Sequence, residues 1–269
     1  MSHPIKESRP YSFLRKVYYS LKNYDETKEA YKITRNIRRF KNIGKGKPCV
    51  VIGNGPSLRI EDLTKMHELN IDTFACNRIH LVFSKTPWRP TYYFMSDEKL
   101  LESDRGVLKD APDAICFYPE KAKDKVSGGN IYHNLLFDYE NEGHFSTDAA
   151  KGVYAGSSVT TEMLQFAYYL GYNEIYMIGV DFSYNTTQKN DDRTYTYSGE
   201  KNYFIEGYMK PGEVADMPNI RANLLAFQAA REEVEKNGRI IMNATRGGKL
   251  EVFERVSLDE LFERWEREN

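Results

Sequence analysis

The chain is poor in the features that would commit it to several large classes of protein. Cysteine occurs three times in 269 residues, at Cys49, Cys76 and Cys116, each inside an apolar stretch and far from the others. That spacing suits neither a zinc site nor a disulfide framework, so reduced, buried thiols and a cytoplasmic setting are expected. No apolar run approaches the ~18 residues that a membrane-crossing helix needs, and no signal-peptide pattern opens the chain. Tryptophan is almost absent, with two residues, whereas tyrosine reaches 20. Internal repeats and low-complexity segments are lacking as well, which removes solenoids and fibrous classes. The length suits one α/β unit with a large core plus appendages.

A net charge of −1 hides an asymmetry. Residues 1–47 carry 13 Lys/Arg against 4 Asp/Glu, a net of +9, and the remainder carries −10. Within that basic arm, Phe13, Leu14, Val17, Tyr18 and Leu21 recur at helical spacing among Arg15, Lys16 and Lys22. A basic helix with an apolar stripe can lie on an anionic membrane surface; the plainer alternative is a helix packed on the body with a solvated basic face. The boundaries expected are a basic helical arm over 1–46 and a nucleotide-binding transferase unit over 47–269.

The body is organised around Cys49–Leu58, Cys-Val-Val-Ile-Gly-Asn-Gly-Pro-Ser-Leu. Its first four residues read as a strand buried on both faces. Gly53 and Gly55 allow a sharp turn, and Pro56 suits the first position of a helix. A strand, a glycine turn and a helix N-terminus together make an anion site for a nucleotide phosphate. Leu58 stands near the place of the third glycine of a dinucleotide fingerprint, and the next strand ends in Asn77 rather than a carboxylate. Both details speak against NAD.

Further on, strands are predicted over 72–77, 91–97, 114–118, 174–180 and 239–245, and helices over 60–69, 156–170, 221–236 and 256–265. Strands alternating with helices argue a Rossmann-like doubly wound α/β fold with a mostly parallel sheet. Two polar stretches, 119–151 and 183–219, read as lid-like excursions. In such sheets ligands bind beyond the carboxyl ends of the strands. The residues there are Gly53, Asn54, Gly55 and Ser57, then Asn77, then Ser96 and Asp97, with Gly156, Ser157 and Ser158 opening a later helix. Asp181 and Tyr184 follow another strand, and Asn243 and Thr245 a last one.

Three segments carry a resemblance. Val-Ile-Gly-Asn-Gly-Pro-Ser-Leu, Cys76-Asn77-Arg78 and Leu-Gly-Tyr-Asn-Glu-Ile-Tyr-Met-Ile-Gly-Val-Asp-Phe (170–182) resemble the bacterial sialyltransferases that use CMP-activated sialic acid. The same order, with the ending from Asn243 to Val256, is similar to the wider 6-hydroxymethylpterin diphosphokinase-like family, many of whose members accompany surface-polysaccharide genes. The resemblance covers about residues 47–256. It implies that Asn54 and Ser57 contact donor phosphate and sugar, that Asn77 meets ribose or base, and that Tyr184 assists the departing phosphate. The sialyltransferase general base is a histidine in a lid; here Tyr208 holds that place, which leaves His144, Asp181 and Glu206 as candidate bases.

The expected activity is therefore transfer of a glycosyl group from a nucleotide-activated sugar, CMP-linked in preference, to a glycan or glycolipid acceptor in surface-polysaccharide biosynthesis. The alternatives are ATP-dependent phosphoryl or diphosphoryl transfer, with Mg²⁺ on Asp97 and Asp181, and a nucleotide-binding protein without catalysis. No nucleic-acid partner is expected, and a homo-oligomer stays open. The basic arm yields one prediction. Co-sedimentation with anionic vesicles should exceed that of a chain starting at Lys45 and weaken steeply with salt, at roughly 1 kcal/mol per basic residue. Equal sedimentation of the two chains contradicts membrane attachment.

Overall fold

Five short runs of β-branched and aromatic residues build the centre of the molecule. The computed structural model describes residues 28–103, 111, 113–126, 130–138, 143–185, 188–190 and 193–268. The amphipathic stretch at 11–23 lies outside them. Helix α1 (28–38) leads into β1 (Pro48–Ile52), α2 (Ile60–Glu68), β2 (Asp72–Cys76), β3 (Tyr92–Phe94), α3 (Glu98–Ser103) and β4 (Ile115–Pro119). Then come β5 (Ile131–His133), β6 (Leu135–Leu136), β7 (Val153–Tyr154), α4 (Val159–Tyr169) and β8 (Glu174–Ile178). The chain continues through β9 (Gln188–Lys189), β10 (Thr194–Thr196), β11 (Val214–Asp216), α5 (Ile220–Lys236), β12 (Ile240–Asn243), β13 (Glu254–Arg255) and α6 (Leu258–Glu268).

Eight strands form one sheet in the order β13-β12-β8-β1-β2-β3-β4-β5, and every pairing in it is parallel. The chain steps from β1 outward to β5 on one side, then returns to lay β8, β12 and β13 on the other. The reversal falls between β1 and β8, the point where open α/β sheets hold their ligands. The fold is thus Rossmann-like, as expected. The second polar excursion forms its own antiparallel sheet, β11-β10-β9, and β6 pairs with β7.

Alternation along the strands explains why the sheet needs helices on both faces. Cys49 and Val51 of β1 and Ile175 and Met177 of β8 point into one core layer; Val50, Ile52, Tyr176 and Ile178 point into the other. The first layer is covered by α4 and α5 through Phe166 and Phe227, the second by α2 and α6 through Leu63, Met66 and Trp265. A parallel sheet covered on both faces reads as unbroken apolar runs. Ile33, Ile37 and Phe40 are buried in the first layer. Helix α1 is therefore packed on the body through its apolar face, while Lys28, Lys32, Arg35, Arg38 and Arg39 stay exposed.

Aromatic contacts dominate the first layer. Phe94 stacks on Phe117 at 4.9 Å and Phe166 lies 4.6 Å from the same ring. The tyrosines add a pH dependence. Burial pushes the phenols of Tyr93, Tyr118 and Tyr172 up, and Tyr176 to about 12. A raised folded-state value means that this contribution is complete below the unfolded value of about 10 and is lost as pH rises through the folded one. The urea midpoint should therefore hold from about pH 8 to about 10 and fall between about 10 and 12. A flat midpoint across that upper range contradicts the burial of these hydroxyls.

Candidate functional site

Strand ends, not loops, set the floor of the site. Beyond β1 the chain turns through Gly53 and Gly55, whose N–H groups donate to Ile178 O (2.8 Å) and Gly179 O (2.9 Å) beyond β8. A Cβ at Gly53 would stand 2.3 Å from Gly179 O, and one at Gly55 2.0 Å from Asp181 Oδ2. Gly179, at φ +64°, faces Gly53 O from the other strand. The glycines are thus required by the approach of two backbones.

The turn is not the helix start that the sequence suggested. Leu58 N–H donates to Gly55 O (3.1 Å), which makes 55–58 a separate β-turn with Pro56 at its second position, and α2 begins only at Ile60. Ser57 Oγ donates to Asp181 Oδ2 at 2.8 Å, and Ser57 N–H points at the same oxygen at 3.4 Å. Asp181 is 8% exposed. Ser57 and Asp181 therefore satisfy each other. The carboxylate occupies the place at the glycine turn where a phosphate was expected.

The cleft opens above this pair and encloses about 160 Å³. Asn54 and Asn77 stand on its β1–β2 side. Asn54 Nδ2 donates to Cys76 O at 3.1 Å, while the Oδ1 atoms of Asn54 and Asn77 are buried without a hydrogen-bond partner. Asn77 holds φ +52°, and its carbonyl accepts from the Tyr93 hydroxyl at 2.8 Å. An unpaired buried amide oxygen is costly unless a ligand supplies the donor. Cys76 lies beside them, its thiol pushed up to about 12 by burial and by the Glu162 carboxylate, and is inert as a nucleophile.

The opposite wall is the N-terminus of α4. Ser158 caps it, its Oγ accepting from Thr160 N–H at 3.2 Å. The Val159 N–H has no acceptor among the described residues, and Val159 and Thr160 line the cleft with Ser158. A helix start with a free N–H favours an anion. Gly156 must be glycine there, since at φ +52° its Cβ would meet Thr161 Oγ1 at 2.4 Å.

The lid supplies tyrosines. Tyr184 is 46% exposed and lines the cleft, as do Tyr203 and Tyr208, whose rings stack at 4.0 Å. Arg78 Nη1 donates to Tyr208 O (2.6 Å) and to Glu213 Oε2 (2.9 Å), which ties the lid to the end of β2. The Asn202 side chain pairs with the Asn185 backbone at 2.7 and 2.9 Å, closing the lid's base. Desolvation, with Tyr195 and Asp181 nearby, pushes the Tyr184 phenol up; burial does the same for Tyr203 and Tyr208. All three stay protonated, as donors, at neutral pH.

The cleft thus gathers Gly53, Asn54, Gly55, Asn77, Ser158, Asp181, Tyr184 and Tyr208 from the predicted set. The others stand elsewhere. Ser57 lies just beneath, on Asp181. Ser96 donates to Glu162 Oε2 at 2.6 Å in a buried group with His133, whose Nε2 is 3.2 Å from the same oxygen. Asp97 accepts from Lys99 and Leu100 N–H groups as the cap of α3, in a different pocket from Asp181. His144 sits 3.7 Å from Asp138 and shares a third pocket with Ser157. Glu206 is exposed on the lid. Asn243 Nδ2 donates to Leu250 O and its Oδ1 accepts from Thr245 N–H, while Thr245 Oγ1 accepts from Val180 N–H. Sequence reasoning missed Gly179, Val159, Thr160 and Tyr203; the small-residue helix start and the tyrosine-rich lid were the available signals. Among the described residues no three His, Cys, Asp or Glu side chains cluster as a metal group, and no helix is long and apolar enough to cross a membrane.

A parallel sheet with its cleft at the strand-order reversal defines a Rossmann-like α/β protein. More narrowly, the chain belongs to the MptE-like family, described as 6-hydroxymethylpterin diphosphokinase MptE-like, whose model matches residues 20–187. No curated protein matches it. Among solved structures it is similar to the MAf glycosyltransferase from Magnetospirillum magneticum AMB-1, at 15% identity and a TM-score of 0.49. That match covers 89% of this chain but 42% of the other, so this chain spans less than half that protein's length. It is also similar to the sialyltransferase CstII from Campylobacter jejuni, solved with cytidine-5'-monophosphate, at 13% identity, a TM-score of 0.43, and coverage of 79% and 86%.

The Ser57–Asp181 pair is open to a direct test. Ser57→Ala strips a nearly buried carboxylate of its hydroxyl donor and should lower stability by about 1–3 kcal/mol, read as a lower urea midpoint. An unchanged midpoint contradicts the pairing.

Proposed function

We propose that this protein is a nucleotide-dependent transferase whose donor is a sugar linked to a nucleoside monophosphate, CMP in preference. The observation that carries the reading is the pair of asparagines that line the cleft, Asn54 and Asn77, whose buried side-chain oxygens have no donor among the described residues. Ribose hydroxyls and an exocyclic base amine are the donors that such oxygens accept. Facing them, the α4 start with its free Val159 N–H offers one seat for one phosphate, which suits a monophosphate donor better than a diphosphate.

The chemistry follows from the same geometry. An acceptor hydroxyl attacks the anomeric carbon as its bond to the phosphate oxygen breaks, and the hydroxyl proton passes to the released phosphate. Negative charge grows on that phosphate, where the α4 N–H and the protonated Tyr184 hydroxyl donate to it. The expected acceptor is a surface glycan or glycolipid, and the basic residues of the 1–46 arm hold the enzyme at the inner membrane face.

Phosphoryl transfer from ATP has the family's description in its favour. It needs Mg²⁺ and carboxylates to hold the ion; the carboxylate lining the cleft, Asp181, is bonded to Ser57. A thermal-shift panel of CMP, UDP, GDP and ATP, each with and without Mg²⁺, separates the two. At about 100 times Kd, a ligand adds roughly 2.7 kcal/mol of apparent stability. CMP should raise Tm without metal, and Asn77→Ala should remove the shift. A shift by ATP with Mg²⁺ alone replaces glycosyl transfer by phosphoryl transfer.

A further inference from the structure

The cations around α1 are far more numerous than the acids that could match them. Residues 28–47 hold eight Lys/Arg and a single acid, Glu29. That acid is shared by Lys32 at 2.7 Å and Lys123 at 2.5 Å, and Lys47 stands 4.0 Å from Asp72. Lys28, Arg35, Arg38, Lys41 and Lys45 are exposed, and none of them has an ion-pair partner among the described residues.

Helical spacing sorts these groups onto one face. Ile33 and Ile37 turn into the first core layer. Tyr31, Arg35 and Arg38, at i, i+4 and i+7, lie on the opposite side with Lys28 and Lys32 beside them. Tyr31 is 65% exposed, and Ile43, in the turn that follows the helix, is 47% exposed. Either one alone would be ordinary for a protein surface. Together, among unmatched cations, they have the chemistry of a membrane–water interface, where tyrosine sits at headgroup level and an aliphatic side chain meets the acyl boundary. A nucleic acid would use the cations and leave Ile43 in water.

The turn lies at the end of the molecule away from the cleft. Asn42 N–H donates to Tyr169 O (3.2 Å) and Gly44 N–H to Leu170 O (2.8 Å), at the C-terminal end of α4. The N-terminal end of the same helix lines the cleft. No residue of 28–47 borders the cleft, so a surface lying on this face leaves the nucleotide site open.

We infer that the outer face of α1 and its following turn dock the folded body on an anionic lipid bilayer. Tyr31 and Ile43 seat in the headgroup layer, and the unmatched cations lie over the lipid phosphates. The inference deepens the membrane reading above and rests on it. It assigns the contact to the folded helix and its turn and not to the residues before Lys28. Because α1 is packed through Ile33, Ile37 and Phe40, contact through it fixes the orientation of the sheet relative to the bilayer.

The test uses the full chain and a fluorescent reporter at the turn. Both native tryptophans, Trp88 and Trp265, are 1% and 2% exposed in the other core layer, so Ile43→Trp adds a signal that reports its own surroundings. Phosphatidylglycerol vesicles brominated along the acyl chains should quench roughly half of that added fluorescence, and phosphatidylcholine vesicles none. Neutralising the face with Arg35→Gln, Arg38→Gln and Lys41→Gln together should weaken co-sedimentation with phosphatidylglycerol vesicles roughly 100-fold, at about fivefold per cation. The urea midpoint should not move, since all three side chains are exposed. Vesicle binding that survives in the triple variant, with Ile43→Trp unquenched, places the attachment before Lys28 and overturns this face alone. An unaltered chain that ignores phosphatidylglycerol vesicles overturns the membrane reading with it. Salt-sensitive capture of single-stranded RNA without quenching by vesicles overturns the face in favour of a nucleic acid.

Discussion

The architecture depends on how closely two strand ends approach. β1 and β8 are neighbours at the reversal of strand order, and beyond them the backbones of Gly53, Gly55 and Gly179 touch without side chains between them. The hydrogen bonds from Gly53 and Gly55 to Ile178 and Gly179 extend the ladder past the end of the sheet. This contact brings Asp181, which follows β8, against Ser57, which follows β1. The Ser57–Asp181 pair then shapes the cleft floor. The cost of packing a carboxylate there is offset by charge-assisted hydrogen bonds from the turn.

From that floor the functional groups divide by wall. Asn54 and Asn77 line the side of β1 and β2, a helix start lines the side of α4, and protonated phenols come from the lid. The lid is held by side chains that reach back to the body: Arg78 to Tyr208 and Glu213, Asn202 to Asn185. Asn77, Tyr203 and Tyr208 border both this cleft and the cavity beside α3.

Much of this architecture was legible in the sequence because it depends on local rules. Cys49–Ile52 could only be a buried strand, and its twin at 174–178 repeats the pattern. The parallel sheet follows from alternating periods, and strand-end residues such as Asn54, Asn77 and Asp181 follow from topology. What depends on long-range contact was not legible. Ser57 and Asp181 are 124 residues apart, so nothing local says that they neutralise each other's hydrogen-bonding needs. Pro56 fits a β-turn as well as a helix start, and the hydrogen bond from Leu58 to Gly55 decides between them. Ser96 and Asp97 are adjacent beyond the end of β3, yet one turns inward to buried Glu162 and the other caps α3, which only the tertiary contacts decide. His133 read as a loop residue because β5, at three residues, is too short to show a period; the structure buries it at the sheet edge against Glu162.

The central claim is that Asn54 Oδ1 and Asn77 Oδ1 await donors from a nucleotide whose phosphate lies at the start of α4. A crystal structure of the full chain soaked with CMP tests it most directly. The account predicts ribose hydroxyls or the base amine within about 3 Å of those two oxygens, with the phosphate on the Val159 N–H. A nucleotide seated at the Gly53–Ser57 turn in place of the Asp181 carboxylate, or one that leaves both amide oxygens unpaired, would contradict it.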